Sequence, residues 1–236
     1  MEQEPPSLPV QILKHALRFA ALPFSWPAEV LRRTRASMGE RGRASERALF
    51  NTAKWTPELL KRLEWRRFEE TCAAYFEVLG FTTTITPSRA GGSVDIALCA
   101  AGADTASILV HCKPWDAYRV GIKSLKELRA AMTTAGIGEG VLATSSRFTQ
   151  EAVDFAAKEH IDLIDGKGLL AKLADLLPEK SLALLKFATQ GDFLTPTCPR
   201  CSIKMVSRTS TDGGRKYWGC INYPKCKHTF FGSAPV

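Results

Sequence analysis

Asp95, His111 and Lys113 have side chains that can take part in catalysis, and they lie in one alternating stretch, residues 93–113. Two period-two segments flank a turn-like run of small residues there, which predicts a β-hairpin. Folding about the turn would bring Asp95 back to the level of His111, so a carboxylate, an imidazole and an ammonium would meet at one sheet edge. The alternative is an ordinary solvated strand face.

Four cysteines near the C-terminus form the second chemical group: Cys198, Cys201, Cys220 and Cys226. Two close pairs within 29 residues are typical of a tetrahedral four-sulfur Zn²⁺ site, in which the metal replaces a core that so short a segment cannot build. The total of seven cysteines is odd, and the sequence shows no secretory signal. We therefore expect a reducing, cytoplasmic setting rather than disulfides.

Basic and aromatic side chains are interleaved with these cysteines. Such a mixture offers phosphate contacts together with surfaces on which bases stack, and it predicts binding to a nucleic acid. One or two of the aromatic residues are expected to pack around the metal instead. The candidate DNA-contacting residues are Arg200, Lys204, Arg208, Arg215, Lys216, Tyr217, Trp218, Tyr223, Lys225 and Lys227.

The charge distribution agrees with a polyanionic partner. The net charge is +8, and it divides into +6 over residues 1–67, −4 over 68–196 and +6 over 197–236. Basic ends around an acidic middle are typical of a protein that binds a polyanion and keeps carboxylates for a cation, although a solubility role is the alternative. The apolar stretch 16–30 is short and contains Arg18, Pro23 and Pro27, so no membrane span is expected.

The hydrophobic pattern predicts the elements that would position these side chains. On the first hairpin strand, Val94, Ile96 and Leu98 are expected to share the face opposite Asp95. A helix at 10–21 and a basic linker at 32–47 precede the main domain. The predicted elements of that domain are a long helix 57–79 capped by Thr56, strand 81–86, the hairpin, helix 121–134, strand 140–144, helix 148–160 capped by Thr149, strand 161–164 and helices 168–177 and 181–188. This order predicts an α/β fold whose mixed sheet is covered on both faces.

Two segments resemble known families. The cysteine region, with Trp218-Gly219-Cys220 and Asn222-Tyr223-Pro224, resembles the zinc ribbons of bacterial type I DNA topoisomerases. The middle of the chain resembles the Mrr-like type IV restriction endonucleases of the PD-(D/E)xK superfold, through Phe68-Glu69, Val94-Asp95-Ile96 and Val110-His111-Cys112-Lys113. The likeness continues through 141–149 to 161–166.

These resemblances imply a restriction-endonuclease-like mixed sheet flanked by helices, followed by a small zinc ribbon. They imply domains at 1–56 (helix and linker), 57–188 (nuclease), 189–197 (linker) and 198–232 (ribbon). Asp95 and Glu69 match the metal-ligating carboxylates, for Mg²⁺ or Mn²⁺, and Lys113 matches the lysine at the attacking water. Glu70 is expected to face solvent.

Two positions depart from the Mrr-like pattern. His111 stands where relatives carry glutamine or glutamate, and imidazole favours softer ions than Mg²⁺. The segment 90–93 lacks the acidic residue often found before the aspartate. The sequence therefore predicts a metal-dependent DNA endonuclease, acting as a possible homodimer in restriction of foreign or modified DNA. The alternatives are a DNA-binding protein that has lost turnover through His111, or a repair or junction nuclease.

Overall fold

A computed structural model describes residues 54–86, 94–114, 119–210 and 214–230. The predicted helix 10–21, the basic linker 32–47 and the loop 90–93 lie outside these residues. Within them, no helix is both long and apolar enough to cross a membrane.

A five-stranded mixed sheet is the centre of the larger domain. Its strands are β1 (Thr82–Ile85), β2 (Ile96–Cys99), β3 (Ala106–Lys113), β4 (Glu139–Thr144) and β5 (Ile161–Ile164), and they lie side by side in that order. The first three pair antiparallel, while β3, β4 and β5 pair parallel. The α/β fold with a mixed sheet is confirmed.

Six helices in the described residues surround this sheet. They are α1 (Pro57–Arg62), α2 (Trp65–Val78), α3 (Ile122–Ala135), α4 (Gln150–Lys158), α5 (Gly166–Ala174) and α6 (Pro178–Thr189). Alternation along the strands separates two apolar clusters: Ile108 and Val110 face α2, whereas Leu109 and Leu142 face α3. Burial on both faces explains the nearly continuous apolar run of β4.

The predicted long helix 57–79 is two helices, which corrects that prediction. α1 ends at Arg62, and α2 begins at Trp65 with Glu64 as its N-cap. The apolar stripe already breaks here, because Leu63 and Phe68 are five positions apart rather than three or four. The Glu64 carboxylate accepts a hydrogen bond from the Arg66 N–H at 3.1 Å, which stabilises the start of α2.

The other boundaries agree with the sequence pattern to within a few residues. Thr149 caps α4 as predicted, by accepting the Ala152 N–H at 3.2 Å. α5 starts two residues before its predicted position because Asp165 caps it, accepting the Gly168 N–H at 2.7 Å. α6 begins at Pro178, whose ring suits the first position of a helix.

The C-terminal segment forms a second, three-stranded antiparallel sheet from β6 (Val206–Thr209), β7 (Lys216–Gly219) and β8 (Thr229–Phe230). Its core is small and consists of three buried cysteines with Met205 and Trp218. The preceding segment is buried against the larger domain, since Phe193 is 3% exposed and belongs to the main core.

Candidate active site and zinc ribbon

Asp95 lies between β1 and β3, one residue before β2 begins. Its backbone extends the ladder, because its N–H donates to the Val110 carbonyl at 3.0 Å and its carbonyl accepts the Thr86 N–H at 2.8 Å. The backbone bends at this residue. Val94 therefore packs with the α3-side cluster, and not with Ile96 as predicted from strict alternation.

The Asp95 side chain is bound to β3 by two contacts from neighbouring residues. Its Oδ2 accepts the Cys112 backbone N–H at 2.6 Å, and His111 Nδ1 lies 2.9 Å from the same oxygen. The predicted juxtaposition of Asp95 and His111 is present, but His111 is 3% exposed and does not lie on a solvated face. Its Nε2 has no hydrogen-bond partner in the described part of the chain.

Glu69 brings a second carboxyl group towards Asp95 from α2. This residue is 6% exposed, and its burial, together with the negative charges of Asp95 and Glu64, raises its pKa to about 9. Glu70 was expected to face solvent, but its side chain is only 18% exposed because its carboxylate lies 3.4 Å from Arg66 Nε and 3.6 Å from Arg67 Nε. Two nearby carboxyl groups whose charges repel each other are a donor set that a divalent cation suits.

Lys113 is the last residue of β3 and is half-buried. Its Cα pairs with that of Thr144 on β4, whose hydroxyl donates to the Lys113 carbonyl at 2.6 Å. This bond fixes the backbone at the end of the strand. Because alternate residues of a strand share a face, Lys113 and His111 extend to the same side of the sheet.

The four predicted zinc ligands meet in the ribbon. Their sulfur atoms all lie within 4.8 Å of one another, and the Cys198 and Cys226 Sγ atoms are 3.8 Å apart. Tetrahedral Zn²⁺ with Zn–S bonds of about 2.3 Å places its sulfurs ~3.8 Å apart, so the cluster fits zinc. The His228 backbone N–H lowers the pKa of the Cys226 thiol to about 7, which favours the thiolate that a metal binds.

The predicted DNA-contacting residues occupy three environments. Tyr217 and Arg208 are half-buried, with the Arg208 guanidinium 5.5 Å from the Tyr223 ring centre. Trp218 is 8% exposed and packs in the ribbon core with Phe230, as expected for one or two of the aromatic residues. The exposed members of the set are Arg200, Arg215, Lys216, Tyr223, Lys225 and Lys227.

Lys204 is placed differently from the prediction, at the junction between ribbon and larger domain. Its Nζ lies 3.0 Å from Glu64 Oε1 and donates to the Thr195 carbonyl at 2.9 Å. Glu64 also accepts the Thr197 N–H at 3.2 Å and the Thr197 hydroxyl at 3.0 Å. Trp65 adds a bond from its indole N–H to the Thr197 carbonyl at 2.7 Å.

Sequence reasoning missed this junction. Its residues are more than 130 positions apart, so no local pattern links them. The break between Leu63 and Phe68 in the apolar stripe was the available signal, because a helix start at Trp65 assigns Glu64 to the cap. The contacts fix the ribbon at the N-terminus of the helix that carries Glu69.

Fold and site together define a class: an α/β domain with paired carboxyl groups at a strand end, joined to a four-cysteine ribbon. Residues 60–173 match the Mrr catalytic-domain family, described as restriction endonuclease, and residues 195–232 match the family described as topoisomerase DNA-binding C4 zinc finger. The chain therefore contains an Mrr-type restriction endonuclease domain followed by a topoisomerase-type zinc ribbon. Such a domain implies a divalent metal, and the four cysteines indicate zinc.

Individual relatives are similar over parts of the chain. The uncharacterised protein y4cE of Sinorhizobium fredii is 31% identical over 101 residues, which are 42% of this chain and 26% of y4cE. The chain thus spans about a quarter of that relative.

Two solved structures are similar at lower identity. The restriction endonuclease MspJI, in complex with a 27-mer oligonucleotide, is 16% identical with a TM-score of 0.37, over 71% of this chain and 40% of that one. AspBHI, a DNA modification-dependent restriction endonuclease, is 18% identical with a TM-score of 0.41, over 65% and 44%.

Proposed function

We propose that this protein is a metal-dependent endonuclease that hydrolyses phosphodiester bonds of DNA, in the restriction of foreign or modified DNA. The observation that carries the proposal is the meeting of Glu69 and Asp95 beside the strand of Lys113, inside a domain that matches restriction endonucleases. Each of the three residues supplies a distinct requirement of phosphodiester hydrolysis.

Asp95 and Glu69 would hold the cation, Mg²⁺ or Mn²⁺. A bound divalent cation stabilises the charge that develops on the attacking and leaving oxygens. Asp95 is pre-positioned because the Cys112 N–H fixes its Oδ2, and among the described residues no hydrogen bond uses its other oxygen, which would bind the cation. Glu69 must give up its proton to bind, since its pKa of about 9 keeps it protonated at neutral pH without metal.

Lys113 would act at the attacking water. Strand alternation would direct its side chain to the same side of the sheet as His111, at the end of the sheet where Asp95 lies. There it can orient the water, take part in moving its proton and stabilise the charged phosphate. His111, with its proton on Nδ1, would donate to Asp95 and fix the carboxylate orientation.

The ribbon would tether the enzyme to DNA. Six exposed residues of the predicted set supply charge and an aromatic ring on its surface, and Tyr223 is 61% exposed. Such a surface binds phosphates and stacks bases without strong sequence preference. Lys204 is left out of this proposed surface, because it binds Glu64.

A DNA-binding protein that has lost turnover is the second candidate. It is favoured by His111, whose imidazole is buried and bound to an oxygen of Asp95. That hydrogen bond reduces the negative charge that the carboxylate can offer to a cation, and imidazole is a poor ligand for Mg²⁺.

Cleavage of methylated and unmethylated plasmid with Mg²⁺ or Mn²⁺ separates the candidates. We expect wild type to cut at least one substrate and Lys113→Ala to be slower by roughly 10²–10⁴-fold, with unchanged DNA affinity. Lys126→Ala, on the exposed side of α3, is the matched control and should retain activity. If wild type cuts neither plasmid yet binds both in a salt-sensitive way, the second candidate is correct. A branched substrate cut in preference to both plasmids would indicate a junction nuclease.

A homodimer would explain cleavage of both strands, since each chain contributes one such site. We expect linear product to form without a lag after nicking, and its initial rate to rise with the square of protein concentration at low concentration. Linear product that stays proportional to protein concentration would contradict the dimer.

A further inference from the structure

A cavity of about 460 Å³ lies beside the candidate active site, at the same end of the sheet. It is bounded by α1, by the loop after β4 and by the first turn of α5. Thr144, the last residue of β4, pairs with Lys113, and Ser145 in the cavity wall is the next residue. The cavity wall therefore begins at Ser145, one residue after Thr144, which pairs with Lys113.

Positive charge dominates the lining of this cavity. Lys61, Arg119, Arg147 and Lys167 all line it and are exposed. Asp165 supplies a negative charge, but its Oδ1 accepts the Gly168 N–H at 2.7 Å and is used to cap α5. Among the described residues of the lining, four cations thus stand against one carboxylate, a balance that attracts an anion.

The inner wall adds a buried hydroxyl and a close backbone approach. Ser145 is 3% exposed, and its Oγ has no hydrogen-bond partner in the described residues. Such groups usually find a partner in a folded protein, so this hydroxyl is a donor that a ligand in the cavity could engage once the side chain rotates towards it. A Cβ at Gly166 would collide with the Ser145 carbonyl oxygen, so glycine is needed for α5 to start this close to the loop.

The first turn of α5 presents the positive end of a nine-residue helix to the same space. The Gly166 N–H already donates to the Ser146 carbonyl at 2.9 Å, which joins helix and loop. Arg147 is attached to this unit, because its carbonyl accepts the Val120 N–H at 2.8 Å and so places Arg119 beside it. Two guanidinium groups, the hydroxyl and the helix end thus surround one cavity.

We propose that this cavity binds a phosphate group of the DNA strand that continues from the cleavage site. Arg119 and Arg147 contact its oxygens, and Ser145 donates its hydroxyl. The inference rests on the proposed function. It assigns to these residues the binding of the DNA strand next to the scissile bond. Guanidinium groups suit phosphate because their paired N–H donors match its oxygens.

The first test compares two double variants of the full zinc-loaded chain. R119A/R147A removes both guanidinium groups, while K123A/K126A removes two exposed charges from α3 and leaves the cavity intact. DNA affinity is measured by fluorescence anisotropy over a range of salt concentrations without Mg²⁺ or Mn²⁺. We expect R119A/R147A to bind at least tenfold more weakly and to reduce the salt slope by about 1, because one phosphate contact is lost, with a much smaller effect of the control.

Kinetics and folding complete this test. In cleavage assays R119A/R147A should raise KM and leave the rate at saturating DNA close to wild type, because the residues bind the strand and do not react. Its melting temperature should match that of the control. If the two double variants bind equally, the cavity assignment is overturned while DNA cleavage by wild type still stands. If wild type binds no DNA, both proposals fail.

A second test distinguishes phosphate in DNA from a free nucleotide. Inorganic phosphate and a deoxynucleoside monophosphate are titrated into wild type, R119A/R147A and S145A by NMR. We expect millimolar binding that both variants weaken and that DNA displaces. Micromolar binding of the nucleotide that DNA does not displace would overturn the assignment to the DNA strand.

Discussion

The two candidate metal sites of this chain are built in opposite ways. The ribbon gathers four thiols from Cys198 to Cys226 around a core so small that the ligands themselves form most of it. The acidic site takes Glu69, Asp95 and Lys113 from a helix, a strand entry and a strand end, and the large core of the domain holds them. In the ribbon, zinc therefore takes the place of a hydrophobic core. At the acidic site, a divalent cation would instead relieve the repulsion between two carboxylates that the fold holds close together.

Zinc removal should have the largest effect. In Cys220→Ser, whose thiol is buried, we expect the amides of β6 to β8 to lose their hydrogen-exchange protection, since the metal replaces a core there. The amides of β3 and β4 should stay protected. Cys99→Ser, outside the cluster, is the control. Ribbon amides that remain protected in a zinc-free variant would contradict this difference between the sites.

Asp95→Asn tests whether the acidic site is needed for cleavage but not for folding. We expect cleavage to fall by roughly 10²–10⁴-fold while the melting temperature changes little, because the asparagine oxygen can still accept the Cys112 N–H. DNA affinity without added metal should match wild type. Asp104→Asn, on the exposed hairpin turn, serves as the control. Loss of folding in Asp95→Asn would mean that the acidic site is also structural.

Glu69→Gln tests the acidic site through the pH dependence of the free energy of unfolding. The folded-state pKa of about 9 is above the ordinary glutamate value of 4.5, so the contribution of Glu69 to stability is full below pH 4.5 and is lost as pH rises towards 9. Glutamine does not titrate. Without Mg²⁺ or Mn²⁺ and with zinc retained, the variant should therefore be close to wild type in free energy of unfolding at pH 4.5 and exceed it at pH 9 by on the order of 6 kcal/mol.

Thermal melts across this pH range check the prediction. Glu70→Gln, which breaks contacts to Arg66 and Arg67, should show no such gain. Added Mn²⁺ at about pH 8, where aqueous Mn²⁺ is still available to a carboxylate, should stabilise wild type more than Glu69→Gln. Equal stabilisation would show that the cation does not bind this carboxyl group.

His111→Gln should have the smallest effect. The glutamine amide can donate to Asp95 as His111 Nδ1 does, so we expect the fold and most of the activity to remain. Since an amide oxygen suits Mg²⁺ better than imidazole does, the ratio of the cleavage rates in Mg²⁺ and Mn²⁺ should rise a few-fold. A fall in that ratio would mean that His111 assists Mg²⁺ binding.

The contrast between the sites also separates what the sequence could predict from what it could not. The cysteine cluster follows from short spacings, and Thr149 and the strand of Ile161 to Ile164 follow from local capping and apolar patterns. The proximity of Asp95 and His111 could be predicted because only one short turn separates their two strands. The bend that redirects Val94 and the burial of His111 depend on helices packed across the sheet, which no local pattern contains.

The junction at Glu64 has a consequence for anyone who would divide this chain into modules. The Glu64 carboxylate caps α2, the helix that carries Glu69, and it accepts hydrogen bonds from Thr197 and Lys204 on the ribbon side. Its charge also contributes to the raised pKa of Glu69. A truncated chain that ends before Thr197 would leave that charge without its ammonium partner, beside the candidate metal site. A nuclease domain produced alone, or fused to a foreign tail, would therefore differ from the full chain in its affinity for the divalent cation.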